Sequence, residues 1–164
     1  MKDTVSRQLA LSDANRQFRG VNAVLTAITD RMASRAFSAG GLAIKTSGSA
    51  LAKTVNTVYY IANGVYGSLS AGDMPALTGL NISAGKYNVA VFYVDVAGTV
   101  TAVFGTEGAT AAAVTFPESP QGKAAIGFLM ITYASAFTGG TTPLDTATTV
   151  YVDVTGAFDP TIKL

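Results

Sequence analysis

The side chains in this sequence that could perform acid–base chemistry are carboxylates. The chain has no His and no Cys, so it lacks the commonest general base, the soft metal ligands and the parts of a Ser-His-Asp or Cys-based nucleophile. Two carboxylates held about 5–9.5 Å apart across a cleft would suit glycoside hydrolysis. The carboxylates considered for such a pair are Asp73, Asp95, Glu107, Glu118, Asp145 and Asp153.

Three of these six acidic residues, Asp73, Glu107 and Glu118, adjoin Gly or Pro in predicted turns, where an acidic side chain is favoured because it hydrogen-bonds the local backbone. The Gly-rich stretches 105–108 and 139–142 lack the Gly-Lys-Ser/Thr ending of a phosphate-binding loop, and the sequence has no EF-hand-type calcium loop. We therefore predict no enzyme activity, no cofactor and no metal site. A small hydrolase that uses Asp95 and Asp153 is the remaining catalytic alternative.

Charge is sparse in this chain. Only 13% of the 164 residues are charged, about half the usual share, whereas 49% are hydrophobic. The length allows one domain and an appendage. A surface with so few charges is more typical of a subunit of an assembly than of a protein that is surrounded by water.

The basic residues are concentrated at the N-terminus. Residues 1–37 contain six basic and three acidic residues, whereas residues 38–164 contain five basic and seven acidic residues. This imbalance could suit an acidic surface, but so few bases are a weak nucleic-acid signal, and we interpret them as a solvated helix face. No run reaches the roughly 18 apolar residues of a membrane span, and the first residues lack the apolar stretch of a signal peptide. We predict neither a nucleic-acid partner nor a membrane.

An apolar stripe with helical spacing dominates the first 37 residues. Its members recur at alternating steps of three and four residues, which is the a/d pattern of a coiled coil over about three heptads. The stripe consists of Leu11, Ala14, Phe18, Val21, Leu25, Ile28 and Met32. It is narrower than the apolar face of a helix packed on its own domain. We predict oligomerisation or attachment to another subunit through the stripe; packing against the chain's own β-domain is the alternative.

Residues 86–105 carry the strongest strand pattern in the chain. Two runs rich in β-branched and aromatic residues flank a turn at Gly98, which predicts a β-hairpin. The first run is apolar on both faces. One face would carry Val89, Val91 and Tyr93, and the other Ala90, Phe92, Val94 and Val96. Such a strand must be covered twice, either as the central strand of a sandwich or with one face against a neighbouring subunit.

From residue 38 onward, period-two patterns and Gly-rich turns predict about seven short strands. The Asn63-Gly64 pair is the strongest hairpin signal in the chain. The fold class that follows is mainly β, an antiparallel β-sandwich of jelly-roll-like type preceded by an N-terminal α-helical segment. Residues 1–37 are the predicted helical oligomerisation and attachment segment, and residues 38–164 the predicted β-sandwich domain, with Gly40 and Gly41 at the boundary.

Six short blocks between residues 41 and 145 carry a resemblance to a known group of proteins. They are Gly41-Leu-Ala-Ile-Lys45, Ala71-Gly-Asp-Met-Pro-Ala-Leu77, Phe104-Gly-Thr-Glu-Gly108, Val114-Thr-Phe-Pro117, Gly122-Lys-Ala-Ala-Ile-Gly-Phe128 and Gly139-Gly-Thr-Thr-Pro-Leu-Asp145. Together they resemble structural proteins of tailed-bacteriophage virions, most closely capsid decoration (cement) and head-fibre proteins. The blocks hold turn and core residues, so the resemblance concerns the fold and no particular site.

The resemblance implies a homotrimer on the virion shell, with a β-sandwich facing outward and no catalytic residues. The partners that it implies are the major capsid protein or another virion protein, and the location is the virion, assembled in the host cytoplasm. The short N-terminal segment favours a compact decoration over a long fibre. The alternative is a tail-fibre or receptor-binding module in which Tyr59, Tyr60, Tyr66 and a flexible loop at 134–143 contact host glycans.

Overall fold

The computed structural model describes residues 15–22, 25, 28, 29 and 32–158 of the chain. It is mainly β, with one N-terminal helix and several antiparallel sheets, which confirms that part of the predicted fold class. Residues 15–22, 25, 28, 29, 32 and 33 are helical, and this helix is called α1. The sequence places the end of α1 near Phe37, whereas the structure has a short strand at Arg35–Ala36.

The described residues contain twelve strands, more than the seven predicted, because several are only two or three residues long. They are β1 (Arg35–Ala36), β2 (Leu42–Ile44), β3 (Ala52–Thr54), β4 (Val58–Ala62), β5 (Val65–Leu69), β6 (Gly72–Asp73), β7 (Asn81–Ile82), β8 (Tyr87–Val94), β9 (Val100–Phe104), β10 (Ala124–Thr132), β11 (Phe137–Thr138) and β12 (Thr148–Asp153). All pairings are antiparallel, in sheets ordered β1-β4-β5, β2-β3-β6, β11-β7 and β12-β10-β8-β9.

Both predicted hairpins are present. Asn63 and Gly64 join β4 to β5 with φ angles of 50° and 77°, the left-handed backbone that a tight two-residue hairpin requires. The turn from β8 to β9 contains Gly98 with a φ of 80°. The sequence pattern places Val96 on the apolar face of β8, but Val96 lies in this turn with 52% of its surface exposed.

Strand β8 is buried on both faces, as its pattern predicts. One face, with Ala90, Phe92 and Val94, joins the main core that all four sheets contribute to. The opposite face, with Val89 and Val91, belongs to a second cluster. Every one of these five side chains is fully buried within the single chain.

The second face of β8 is covered by irregular segments of the same chain. Val114 and Phe116, which follow a 3-10 turn at Ala111–Ala113, pack on this face together with Phe128 of β10 and Phe158 near the C-terminus. The Phe116 ring meets Phe128 edge-on at 5.2 Å, and Phe158 lies 6.0 Å from Phe128. No neighbouring subunit is therefore needed to bury β8.

The segment assigned to residues 1–37 also supplies a strand to the β-domain. Ala36 of β1 is fully buried in the main core. Its carbonyl accepts a hydrogen bond from the Gly156 N–H at 2.7 Å, and the Phe37 N–H donates to the Tyr59 carbonyl at 2.7 Å. Through these two hydrogen bonds, the last residues of this segment are joined to the C-terminal region and to β4.

Candidate functional site

The predicted stripe on α1 is exposed wherever the structure describes it. The exposed fractions are 67% for Phe18, 54% for Val21, 53% for Leu25, 47% for Ile28 and 61% for Met32. Leu11 and Ala14 lie outside the described residues. Because five apolar side chains on one helix face stay in solvent, the alternative that this stripe packs on the chain's own β-domain is wrong for these residues.

The C-terminal end of α1 is attached to the tip of the β4–β5 hairpin. The Gly64 N–H donates to the Ala33 carbonyl at 2.8 Å, which satisfies one of the carbonyls that a helix end leaves open. The Asn63 N–H donates to the Ser34 hydroxyl at 3.0 Å. These two hydrogen bonds tie the last helical residue, Ala33, and the following Ser34 to the sheet β1-β4-β5.

The side of this sheet that faces away from the core presents a second exposed apolar surface. Ala36 and Tyr60 pair on the core side, so their neighbours Phe37 and Tyr59 point outward by alternation. Phe37 and Tyr59 are each 46% exposed and Tyr66 is 63% exposed. The Tyr59 and Tyr66 rings stack with centroids 6.4 Å apart and planes 11° apart. We call Phe37, Tyr59 and Tyr66 the outer face.

A charged neighbour of the outer face lies over one of its aromatic rings. The Arg35 guanidinium carbon is 5.2 Å from the centroid of Phe37, a cation–π distance. Sequence reasoning missed this part of the surface because the helical pattern places Arg35 and Phe37 at the helix end. The signal that could have predicted a strand here is the small Ala36 between two large residues, Arg35 and Phe37, since alternate residues of a strand point to opposite sides.

Tyr60, predicted to join the other two tyrosines, lies on the opposite side of the sheet. It is 2% exposed, and a Cβ at Gly67 would come within 2.7 Å of its ring, so the missing side chain at residue 67 makes room for the ring. Burial, and secondarily the negative charge of Asp95, raise the pKa of Tyr60. Tyr60 is therefore a core residue and cannot contact a glycan.

The stretch 134–143, predicted to be a flexible loop, is partly built into the body. It contains β11, which pairs with β7, and Phe137 is 1% exposed in the main core. Gly139 lies so close to Leu77 that a Cβ there would overlap the Leu77 carbonyl oxygen. This contact and the buried ring anchor the middle of the stretch.

The two carboxylates proposed for a hydrolase each bind nearby backbone. Asp95 accepts hydrogen bonds from the N–H groups of Ala97 and Thr99 at 3.0 and 2.9 Å, which closes the β8–β9 turn. Asp153 accepts one from the Leu42 N–H at 3.1 Å and joins β12 to β2. These contacts give each carboxylate a structural role.

Two other carboxylates also fix turns. Asp145 accepts hydrogen bonds from the Gly48 N–H at 2.7 Å and the Ser47 hydroxyl at 3.1 Å. The hydrogen bond from Gly48 is the main cause that lowers the pKa of Asp145. Glu107 accepts hydrogen bonds from the N–H and hydroxyl of Ser83 at 2.9 and 3.0 Å, and the N–H bond is the main cause that lowers its pKa.

These lowered pKa values predict that the body loses stability in acid. A carboxyl group whose pKa is lower in the folded than in the unfolded chain stabilises the fold. This stabilisation is fully present above the unfolded pKa, about 4, and it is lost as the pH falls through the folded pKa. We expect the Tm of the wild type to decrease as the pH is lowered below about 4. The Glu107→Gln/Asp145→Asn variant should have a lower Tm at pH 7, and its Tm should decrease less in acid. Circular dichroism melts from pH 7 to pH 2 measure both. Glu118→Gln, at an exposed acid outside these turns, is the control, and equal acid slopes in all three proteins would contradict the prediction.

Neither a metal-binding group of acidic side chains nor a membrane-spanning helix is present among the described residues. No group of three or more Asp and Glu side chains there is placed to hold a metal ion. Asp73 forms an ion pair with Lys45 at the surface. No described helix is long and apolar enough to cross a bilayer.

Comparison with known proteins gives no relative for this chain. No family model matches it, and searches of curated proteins and of solved structures found no match. Its candidate function therefore rests on its own surface, which carries the exposed stripe of α1 and the outer face.

Proposed function

We propose that this chain is a non-enzymatic structural protein that assembles through the stripe of α1 and decorates the head of a tailed phage. The observation that carries the assembly part is the exposure of Phe18, Val21, Leu25, Ile28 and Met32 on a folded helix. Contiguous apolar surface of this kind marks an interaction site. The phage head as the place of assembly rests on the resemblance of roughly residues 40–154 to decoration proteins.

The residues beside the stripe are compatible with pairing between identical helices. In the heptad pattern the flanking e and g positions include Asn15, Gln17, Asn22 and Thr29. These four are uncharged, and Arg31 is the one basic residue at a flanking position within the stripe, so few like charges would meet between two copies of the helix. Arg16 falls at an outer position of the heptad.

The energy available from the stripe is close to the cost of association. Burying a fully exposed large apolar side chain is worth about 1.5–3 kcal/mol, and a pair of copies would bury ten described stripe side chains that are each about half exposed in the single chain, which gives about 8–15 kcal/mol. Association costs about 4–15 kcal/mol before any surplus contributes to affinity. A stable assembly therefore needs contacts beyond the stripe, which either the shell or the β-domains of neighbouring copies can supply.

A cementing role follows from mass action. A protein that binds an assembled shell, and not its separate subunits, stabilises the shell in proportion to the logarithm of its concentration over its dissociation constant. The major capsid protein or another virion protein is the partner in this proposal, and three copies per unit is the number that the resemblance implies.

We also propose that the sheets form a sandwich of jelly-roll-like type. The support is the antiparallel pairing throughout and the position of β8, whose Phe92 face packs on a core shared by all four sheets. The order β12-β10-β8-β9 places β8 and β10 in the middle of the largest sheet, where a strand with two apolar faces is expected.

A receptor-binding module is the second candidate, and one observation favours it. The stacked, exposed Tyr59 and Tyr66 offer aromatic surface of the kind that sugars bind. Two other features on which this candidate depends do not support it, because Tyr60 is buried and Phe137 anchors the stretch 134–143. The decoration role is therefore the better supported of the two.

The copy number of this chain in phage particles tests the proposal. Particles purified from cells that produce the chain, separated into whole phages and tail-free DNA-filled heads, should carry many copies per head, counted by quantitative mass spectrometry. Addition of the wild-type chain to shells that lack it should raise their Tm. A chain found with tails alone would favour the receptor-binding module, and a chain absent from particles would contradict both candidates.

A further inference from the structure

We propose that Asn63 is a site of spontaneous deamidation and that the contact between the β4–β5 hairpin tip and the end of α1 controls how fast it reacts. The modified group is the side-chain amide of Asn63, and the reagents are the backbone nitrogen of Gly64 and solvent water. The modification requires no partner protein, so it takes place whether or not the chain assembles on a phage head.

The two residues at the tip contain both reacting groups. The Gly64 nitrogen, after losing its proton, attacks the side-chain carbonyl carbon of Asn63, and the bond from that carbon to the amide nitrogen breaks with release of ammonia. The product is a cyclic imide between residues 63 and 64. Water then opens the imide at one of its two carbonyls and leaves either aspartate or isoaspartate at residue 63. Gly64 favours the attack because it has no Cβ to crowd its nitrogen.

Burial does not protect this amide. Asn63 and Gly64 are both exposed, so the water that opens the imide has free access to the tip. Their φ angles of 50° and 77° are those of a tight two-residue turn. Any protection in the folded chain must therefore come from the contacts that hold the two reacting groups.

Both reacting groups are held by other parts of the chain. The Gly64 N–H donates to the Ala33 carbonyl at 2.8 Å, so its nitrogen cannot lose the proton and attack until this hydrogen bond opens. The Asn63 side chain lies beside the turn at Gly122, where an added Cβ would be 3.7 Å from the Asn63 Cγ. The Asn63 N–H donates to the Ser34 hydroxyl at 3.0 Å, which restrains rotation of the turn. In the folded chain the reaction therefore waits for the tip to leave the end of α1.

Isoaspartate at residue 63 would in turn release the end of α1. Its main chain runs through the former side-chain carbonyl carbon, which makes the connection longer by one carbon atom. The length of a hairpin connection sets its turn type, so the turn that directs the N–H groups of residues 63 and 64 toward Ala33 and Ser34 is lost. The modified chain would then keep its sheets but lose the two hydrogen bonds that tie the helix end to the hairpin.

The rate of deamidation in the full-length chain tests the protection. Peptide mapping by mass spectrometry follows conversion at Asn63, and electron-transfer fragmentation distinguishes isoaspartate from aspartate. We expect conversion at least about tenfold slower in the folded chain than in the chain unfolded in guanidinium chloride, because two hydrogen bonds must open first. Absence of conversion at Asn63 in the unfolded chain would overturn the modification site, and equal rates in the two states would overturn its protection.

A pair of serine variants tests which contact protects. Ser34→Ala removes the hydroxyl that accepts from the Asn63 N–H and should speed conversion in the folded chain by about two- to tenfold. Ser38→Ala is the matched control, because the Ser38 hydroxyl accepts from the Tyr59 N–H at the other end of β4, and its rate should equal that of the wild type. Near-identical circular dichroism spectra show that both variants are folded. Equal rates in the two variants would contradict control by the end of α1.

An unmodifiable variant tests the release of the helix end. Asn63→Gly lacks the amide and keeps the turn, since Gly adopts positive φ at no steric cost. After long incubation, hydrogen exchange at residues 33–36 and 62–65 should be at least about tenfold faster in the isoaspartate fraction of the wild type, and unchanged in Asn63→Gly. Isoaspartate with unchanged exchange would overturn the release. None of these outcomes bears on the copy number in phage particles, so this inference and the proposed function fail separately.

Discussion

Val21→Asp will weaken the self-association of the full-length chain by at least about 100-fold. Val21 is the central member of the predicted seven-residue stripe and is 54% exposed in the single chain. In the assembly the new carboxylate would be buried among apolar side chains without a partner, which costs several kcal/mol, and 1.4 kcal/mol corresponds to a tenfold change in affinity. Sedimentation equilibrium gives the dissociation constants of the variant and the wild type.

The matched control for this change is Val96→Asp. Val96 is also a valine, and it is 52% exposed in the β8–β9 turn, so the same substitution adds the same charge at almost the same exposure. We expect wild-type association for this variant and unchanged thermal unfolding of the β-domain for both. Equal weakening by the two substitutions would show that added charge, and not the stripe, controls association.

A chain that begins at Met32 will be folded and single-copy, whereas a chain that begins at Ser38 will be strongly destabilised. The first truncation removes the stripe except its last member and keeps β1. The second also removes Ala36 from the main core and the hydrogen bonds of β1 with β4 and with Gly156. Each buried backbone group left without a partner costs about 1–3 kcal/mol, so removal of β1 should cost several kcal/mol. Urea unfolding followed by circular dichroism measures both chains.

The comparison of the two truncations locates the real boundary between helix and body. Equal stability of the two chains would mean that β1 contributes nothing, contrary to the complete burial of Ala36. Loss of structure in the chain that begins at Met32 would mean that the body needs the helix, contrary to the exposure of the described part of α1.

The features that could be predicted from the sequence are those encoded by neighbouring residues. The heptad spacing of Phe18 to Met32 predicts a helix, and the alternation in β8 predicts a strand buried twice. Asn63-Gly64 and Gly98 predict hairpins because few other residues adopt positive φ at low cost. Each of these signals lies within one element, so no knowledge of distant partners is required.

The features that could not be predicted depend on distant partners. Strands β1, β6 and β11 are two residues long, too short for any period, and they exist because β4, β3 and β7 lie beside them. Nor does the order of residues reveal which side of a strand faces the core, so three tyrosines close in sequence suggest one cluster although Tyr60 points inward. The outer face was missed for the same reason.

The molar mass of the full-length chain in dilute buffer is the most direct test of the claim that this protein assembles through its N-terminal helix. One copy has a mass of 16.7 kDa. Light scattering coupled to size exclusion should give a whole-number multiple of this mass, two or more, for the full-length chain and the mass of a single copy for the chain that begins at Met32. A full-length chain that elutes as one copy at tens of micromolar, with α1 helical, would contradict the claim.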